Sequence, residues 1–128
     1  MSAAPQPLIL VVEDDAAVCT VLCAFLENTQ HRVAIANELL TGAEILEKLN
    51  PTLLIVNIML RGGDGKDLVR LARAKNIPVL LMSGHPRSIE WSLEENVPFL
   101  QKPFRLSELE EWVKKLSPAH DDKTFTAF

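Results

Sequence analysis

The chain has 128 residues, 48% hydrophobic and 23% charged, with 17 acidic against 13 Lys and Arg side chains for a formal net charge of -4. That size predicts a single domain whose core needs no disulfide staples. The acidic balance argues against direct nucleic-acid binding, which leaves a basic patch, and apolar runs such as Leu53 to Val56 are far too short to span a bilayer.

Leu8 to Val12 (LILVV) is an apolar run of the kind buried on both faces of a parallel sheet, and it ends in the acid cluster Glu13-Asp14-Asp15. Ala16 to Glu27 follows with Val18, Val21, Leu22, Phe25 and Leu26 at helical spacing. Arg32 to Ala36 reads as a short strand and Leu39 to Leu49 as a second helix, closed by Asn50-Pro51. The stretch Leu53 to Gly65 (LLIVNIMLRGGDG) opens as another doubly buried strand and closes in a glycine-rich turn, with Asn57 at the end of the strand. Gly65 to Lys75 then gives a third helix lined by Leu68, Val69, Leu71 and Ala72, and Pro78 to Met82 a fourth strand ending at Ser83-Gly84. Ser88 to Glu95 is a short, weakly patterned helix with Ile89, Trp91 and Leu93, and Phe99 to Gln101 a brief strand running into Lys102-Pro103. Ser107 to Leu116 is the last helix, its N-cap assigned to Ser107 with Glu110 completing a capping box.

Strands alternating with helices in this way predict right-handed parallel crossovers and a doubly wound α/β sheet of five strands. Residues 1–7 are an N-terminal extension, 8–116 the domain and 117–128 a tail without period. The start MSAAPQP has neither a basic n-region nor an apolar signal core, so a cytoplasmic location is the default. Cys19 and Cys23, four apart on one helix, read as small buried thiols rather than as a disulfide or metal pair.

Four strand ends on one edge of such a sheet carry polar groups: Glu13-Asp14-Asp15, Asn57, Ser83 and Lys102. Ligands gather at that edge in open α/β sheets. Carboxylates and a carbonyl are the hard oxygen ligands of Mg²⁺, while an ammonium and a hydroxyl suit a phosphoryl group, so the set points to metal-assisted phosphoryl chemistry.

LILVVEDD, LLIVNIML with GGDG, VLLMSG and FLQKPF, in that order, resemble the receiver domain of bacterial response regulators across residues 8–116. The resemblance implies a flavodoxin-like fold that takes a phosphoryl group from a histidine kinase onto an aspartate at the end of the third strand. Carried over, it makes Glu13 and Asp14 the acid pair for Mg²⁺ and Met59 the residue whose backbone carbonyl completes the metal site. Ser83 becomes the hydroxyl that follows the phosphoryl group, Phe99 the aromatic switch position and Lys102 the phosphate-binding lysine. Pro103 then follows Lys102 where the family often has a cis bond.

Asn57 departs from that pattern. It stands where the family has its phosphoacceptor aspartate, and an amide oxygen is a poor, uncharged nucleophile and a weaker metal ligand. Three readings stand side by side: an amide that caps the turn, a receiver that works without phosphorylation, and an aspartate replaced to lock the unphosphorylated state. Arg61 replaces a proline common in the turn. The segment between Ser83 and Lys102 is short for the family, which predicts a truncated fourth helix.

The resemblance implies a non-enzymatic signalling module. Its partners are a sensor histidine kinase or phosphotransfer protein and a downstream target protein, with a homodimer allowed and neither nucleic acid nor membrane contacted directly. About a dozen residues follow the last helix, so the expectation is a stand-alone receiver or a fragment of a longer transcription regulator. The rival class is a Mg²⁺-dependent phosphatase of the haloacid dehalogenase type. That chemistry needs aspartates two residues apart after the first strand, and Glu13 with Asp15, or Asp14 with Ala16, fails the pattern.

Overall fold

The computed structural model describes residues 6–117. The expectations that fall on residues 1–5 and 118–128 lie outside the described residues. Five strands, β1 (Leu8–Val12), β2 (Arg32–Ala36), β3 (Leu53–Asn57), β6 (Val79–Ser83) and β7 (Phe99–Gln101), form one parallel sheet in the order β2-β1-β3-β6-β7. Between β3 and β6, β4 (Met59–Leu60) and β5 (Gly63–Asp64) form a small antiparallel hairpin, with Gly62 in its turn at φ +82. The helices are α1 (Ala16–Glu27), α2 (Leu39–Leu49), α3 (Gly65–Ala74), α4 (Pro86–Glu95) and α5 (Leu106–Leu116).

Two-residue alternation within the central strands sends one set of side chains to each face. Ile9, Val11, Leu53, Ile55, Leu80 and Met82 pack with Leu22 and Leu26 of α1 and with Leu109 and Val113 of α5. Leu10, Val12, Leu54, Val56 and Leu81 pack with Leu46 of α2, with Leu68, Val69 and Ala72 of α3, and with Trp91 of α4. Both cores need apolar residues along all of β1 and along β6 up to its last position, Ser83, which is why those runs show no polar alternation.

The five-stranded doubly wound sheet agrees with the expectation, and several details correct it. Val21 shares the helical spacing of the apolar residues of α1, yet it is 53% exposed, because the fully buried stripe is narrowed to Cys19, Leu22 and Leu26. Leu93 of α4 is 75% exposed. The fourth helix is neither short nor weak. It starts two residues before Ser88, where Pro86 supplies a preset φ at the first turn and His85 Nδ1 accepts the Arg87 N–H at 3.2 Å. The last helix is not capped from Ser107. It begins one residue earlier, and the Glu108 carboxylate reaches back to the Arg105 N–H at 3.0 Å. Among the described residues, no helix is long and apolar enough to cross a membrane.

Candidate functional site

The parallel ladder continues past the strand ends and sets the functional residues in register. Glu13 N–H donates to Ala36 O at 3.0 Å, Ile58 N–H to Met82 O at 3.1 Å, and Lys102 N–H to Ser83 O at 2.9 Å. Glu13, Asn57, Ser83 and Lys102 therefore each sit within one residue of a backbone hydrogen bond to a neighbouring strand. The structure brings Glu13, Asn57 and Lys102 into direct contact and places Ser83 beside them. Asn57, Met59, Ser83, Gly84, His85 and Lys102 line a cleft of about 340 Å³.

Glu13 is the centre of this arrangement and is fully buried. Its Oε1 is paired with the Lys102 ammonium, and its Oε2 accepts from Asn57 Nδ2 at 3.1 Å and from the Asp15 N–H at 3.2 Å. A buried carboxylate is tolerated only with such partners. The second hydrogen of the Asn57 amide goes to Met59 O at 3.1 Å. Asn57 thus holds together the two oxygens expected to serve a metal, the Glu13 carboxylate and the Met59 carbonyl.

Asp14 is half-buried, next to Glu13. Asp15 is the N-cap of α1, accepting from Ala17 N–H at 2.9 Å and Val18 N–H at 3.3 Å, as its place at a helix start suggested. The buried Cys19 donates its Sγ hydrogen to Glu13 O at 3.3 Å. Burial, reinforced by Glu13, Asp15 and Asp14, pushes its thiol above the ordinary range.

Ser83 is buried, donates to Ser88 Oγ at 2.9 Å and accepts from the His85 N–H at 3.0 Å. Ser88, under the first turn of α4, is a site residue that the sequence pattern missed; the signal was a small polar residue five positions after Ser83 in an otherwise buried slot. Phe99 is half-buried and packs with the core under α4. The Lys102-Pro103 peptide is cis.

For Mg²⁺ the donor chemistry fits: two carboxylates and a backbone carbonyl are hard oxygen ligands. The arrangement is less favourable, since Asn57 and Lys102 engage both Glu13 oxygens and Asn57 engages the Met59 carbonyl. Among the described residues, no three His, Cys, Asp or Glu side chains cluster as a metal site.

An open, doubly wound α/β sheet with acids after the first strand, a hydroxyl after the fourth and a lysine after the fifth gathers its polar residues on one edge of the sheet. The chain matches the response regulator receiver domain over residues 9–114, and it belongs to that family, the receivers of two-component signalling. It is 33% identical over 86 residues to the transcriptional regulatory protein AfsQ1 of Streptomyces coelicolor, covering 66% of this chain and 38% of that protein. The chain thus spans well under half of that relative. Among solved structures, a response regulator from Chloroflexus aurantiacus superposes with a TM-score of 0.79 at 27% identity, over 86% of this chain and 96% of that one. The receiver domain of sensor histidine kinase PA1611 from Pseudomonas aeruginosa shares the fold with a TM-score of 0.78 at 23% identity, over 86% and 96% of the two chains. That structure holds a magnesium ion in its active site cleft. The phosphatase alternative finds no support in these likenesses.

Proposed function

We propose that this receiver signals through protein contacts with its phosphoryl chemistry blocked at Asn57. One observation carries the reading: the Asn57 carboxamide donates to both Glu13 Oε2 and Met59 O. A carboxylate at this position would attack phosphorus with a charged oxygen, whereas an amide oxygen shares its electrons with nitrogen and carries no charge. The two N–H groups also supply, without a metal, positive ends between oxygens that would otherwise repel.

Bound Mg²⁺ would supply charge neutralisation for phosphoryl oxygens, held by Glu13, Asp14 and the Met59 carbonyl. Lys102 is committed to Glu13 and Asn57 adds no charge, so binding of the ion is millimolar or poorer. Ser83 and Phe99 then stay in the positions that belong to an unphosphorylated site, with Ser83 bonded to Ser88.

The partners are a sensor histidine kinase or phosphotransfer protein and a downstream target protein, met in the cytoplasm, and the domain catalyses no reaction of its own. The docking face for the kinase or phosphotransfer protein is α1 with the strand-end loops, where Val18, Val21, Phe104 and Leu106 line an apolar cleft of about 540 Å³. A second reading, a receiver segment of a longer regulator, is favoured by the 38% span of AfsQ1.

Intact-mass spectrometry after incubation with acetyl phosphate and Mg²⁺ tests the reading on this chain and on Asn57→Asp. A phosphoryl gain in the Asn57→Asp protein alone is the expected result. A gain in the unaltered chain overturns it.

A further inference from the structure

Beside the Asn57 cleft lies a second cavity, of about 360 Å³, between the β4–β5 hairpin and the start of α4. The two share Met59 and His85 as lining residues. Ile58, Met59 and Leu60 give the second cavity an apolar wall, and Met59 is left 65% exposed. Lys66 of α3 and Arg87 of α4 give it two cations. The carboxylate that lines it, Asp64, is engaged as the N-cap of α3, accepting the Lys66 backbone N–H at 2.9 Å.

Among the described residues, neither Lys66 nor Arg87 belongs to an ion pair, although Arg70 and Arg73 of α3 are paired with Asp67 and Glu95. The Lys66 ammonium stands 5.2 Å from the centre of the Trp91 ring. An aromatic face holds an ammonium in place without neutralising it, so its other side stays available to a carboxylate. On a chain of net charge -4, two cations against the single Asp64 carboxylate give this cavity a local excess of positive charge, an inversion of sign. Such inversions set the orientation and selectivity of a partner.

We propose that this cavity is a docking groove for an acidic peptide segment of a partner protein, with an apolar side chain on Met59 and Leu60 and carboxylates on Lys66 and Arg87. A small inorganic anion would leave the exposed Met59 unused, whereas alternating acidic and apolar side chains use both halves of the groove. Met59 also gives its carbonyl to Asn57, so the docked segment would rest on the loop that closes the site. The proposal does not depend on whether Asn57 blocks phosphorylation.

The test is fluorescence anisotropy at low ionic strength with a panel of labelled octapeptides that alternate Asp or Glu with Leu, Met or Phe. A matching panel with Lys in place of the acids serves as control. Members of the acidic panel should bind. Arg87→Glu should weaken them about fivefold and Lys66→Gln about twofold, the size expected of partly solvated pairs. Lys114→Glu on α5 should change nothing. Circular dichroism verifies that each variant is folded, and Trp91 emission should shift on binding. The proposal is overturned if no acidic member binds, if the basic panel binds equally, if both variants bind like the parent, or if inorganic phosphate displaces the peptide at equal concentration.

Discussion

The Asn57 amide nitrogen lies 3.1 Å from Glu13 Oε2, inside a site where an aspartate would set two carboxylates against each other. Asn57→Asp replaces an N–H donor by an oxygen facing a fully buried carboxylate. Like charges at such a distance destabilise the site, and a divalent cation relieves them. Without Mg²⁺ the variant should therefore lose about 1–2 kcal/mol, a melting-temperature drop of roughly 3–8 °C. Added Mg²⁺ should restore it while leaving the parent nearly unmoved. Calorimetry with and without the ion checks this, and equal Mg²⁺ responses of the two proteins would refute it.

Lys102 neutralises a carboxylate that has no solvent of its own. The Glu13 side chain is 0% exposed and that of Lys102 25%. Removing the ammonium leaves a buried charge with only the Asn57 amide and the Asp15 N–H as partners. Lys102→Met should cost about 2–4 kcal/mol, somewhat under the usual figure for breaking a buried pair because those two donors remain. Glu13→Gln in the same background should recover at least half of that loss. Urea denaturation of the four proteins closes the double-mutant cycle.

The two free thiols predict how stability responds to alkali. Burial raises the Cys19 thiol first, followed by the charges of Glu13, Asp15 and Asp14; burial and then Glu27 raise Cys23. Above the ordinary thiol value of 9.0 the unfolded chain gives up these protons while the folded chain keeps them. Fewer protons on the unfolded state mean that stability falls as pH rises, and below that value the effect vanishes. The urea midpoint should fall as pH rises above about 9, less steeply in Cys19→Ser. Identical slopes in the two proteins would refute the assignment to Cys19.

Gly65 joins the site loop to α3, and its hydrogen is used structurally. Its N–H donates to Ile58 O at 2.7 Å, and a Cβ built there would come within 2.9 Å of Ile58 Cα and closer still to Asn57 O. Backbone cannot swing aside as a side chain can, so Gly65→Ala must displace the Asn57–Ile58 segment and should cost about 2 kcal/mol or more. Gly84→Ala meets nothing closer than 3.6 Å and should be nearly neutral. Thermal melts of both variants give the comparison directly.

The sheet was legible because LILVV, LLIVN and VLLMS carry no polar residue before their last position, and doubly buried strands have no other pattern. The site followed, since its polar residues end those runs. What the sequence concealed was pairing across the chain. Glu13 and Lys102 are 89 residues apart, and nothing local shows that Lys102 is paired with Glu13. Helix starts are hidden where the cap is a residue of unusual type: His85 for α4 and Arg105, served by Glu108, for α5. The exposure of Val21 is equally hidden, because in sequence an apolar residue on an exposed helix face looks the same as one in the core.

His31 was the other concealed residue, offering no pattern in sequence yet only 2% exposed in the fold. Its Nε2 lies 2.7 Å from Ser117 O, a carbonyl that can only accept, so that nitrogen carries the hydrogen. Its Nδ1 meets Thr29 Oγ1 at 2.9 Å. Ser117 Oγ in turn meets Thr52 Oγ1 at 2.7 Å, and the Thr52 hydroxyl reaches Leu8 O at 3.1 Å. The end of α5 is thereby tied to the start of the sheet, at the pole away from Asn57. His31→Ala leaves the Ser117 carbonyl without its imidazole partner and should cost about 1–3 kcal/mol. Amide exchange should accelerate at Ser117 and along the last turn of α5, while Ile58 and Lys102 keep their protection because their hydrogen bonds belong to the opposite edge of the sheet. Uniform acceleration across both poles would show that His31 supports the whole fold rather than the anchorage of α5.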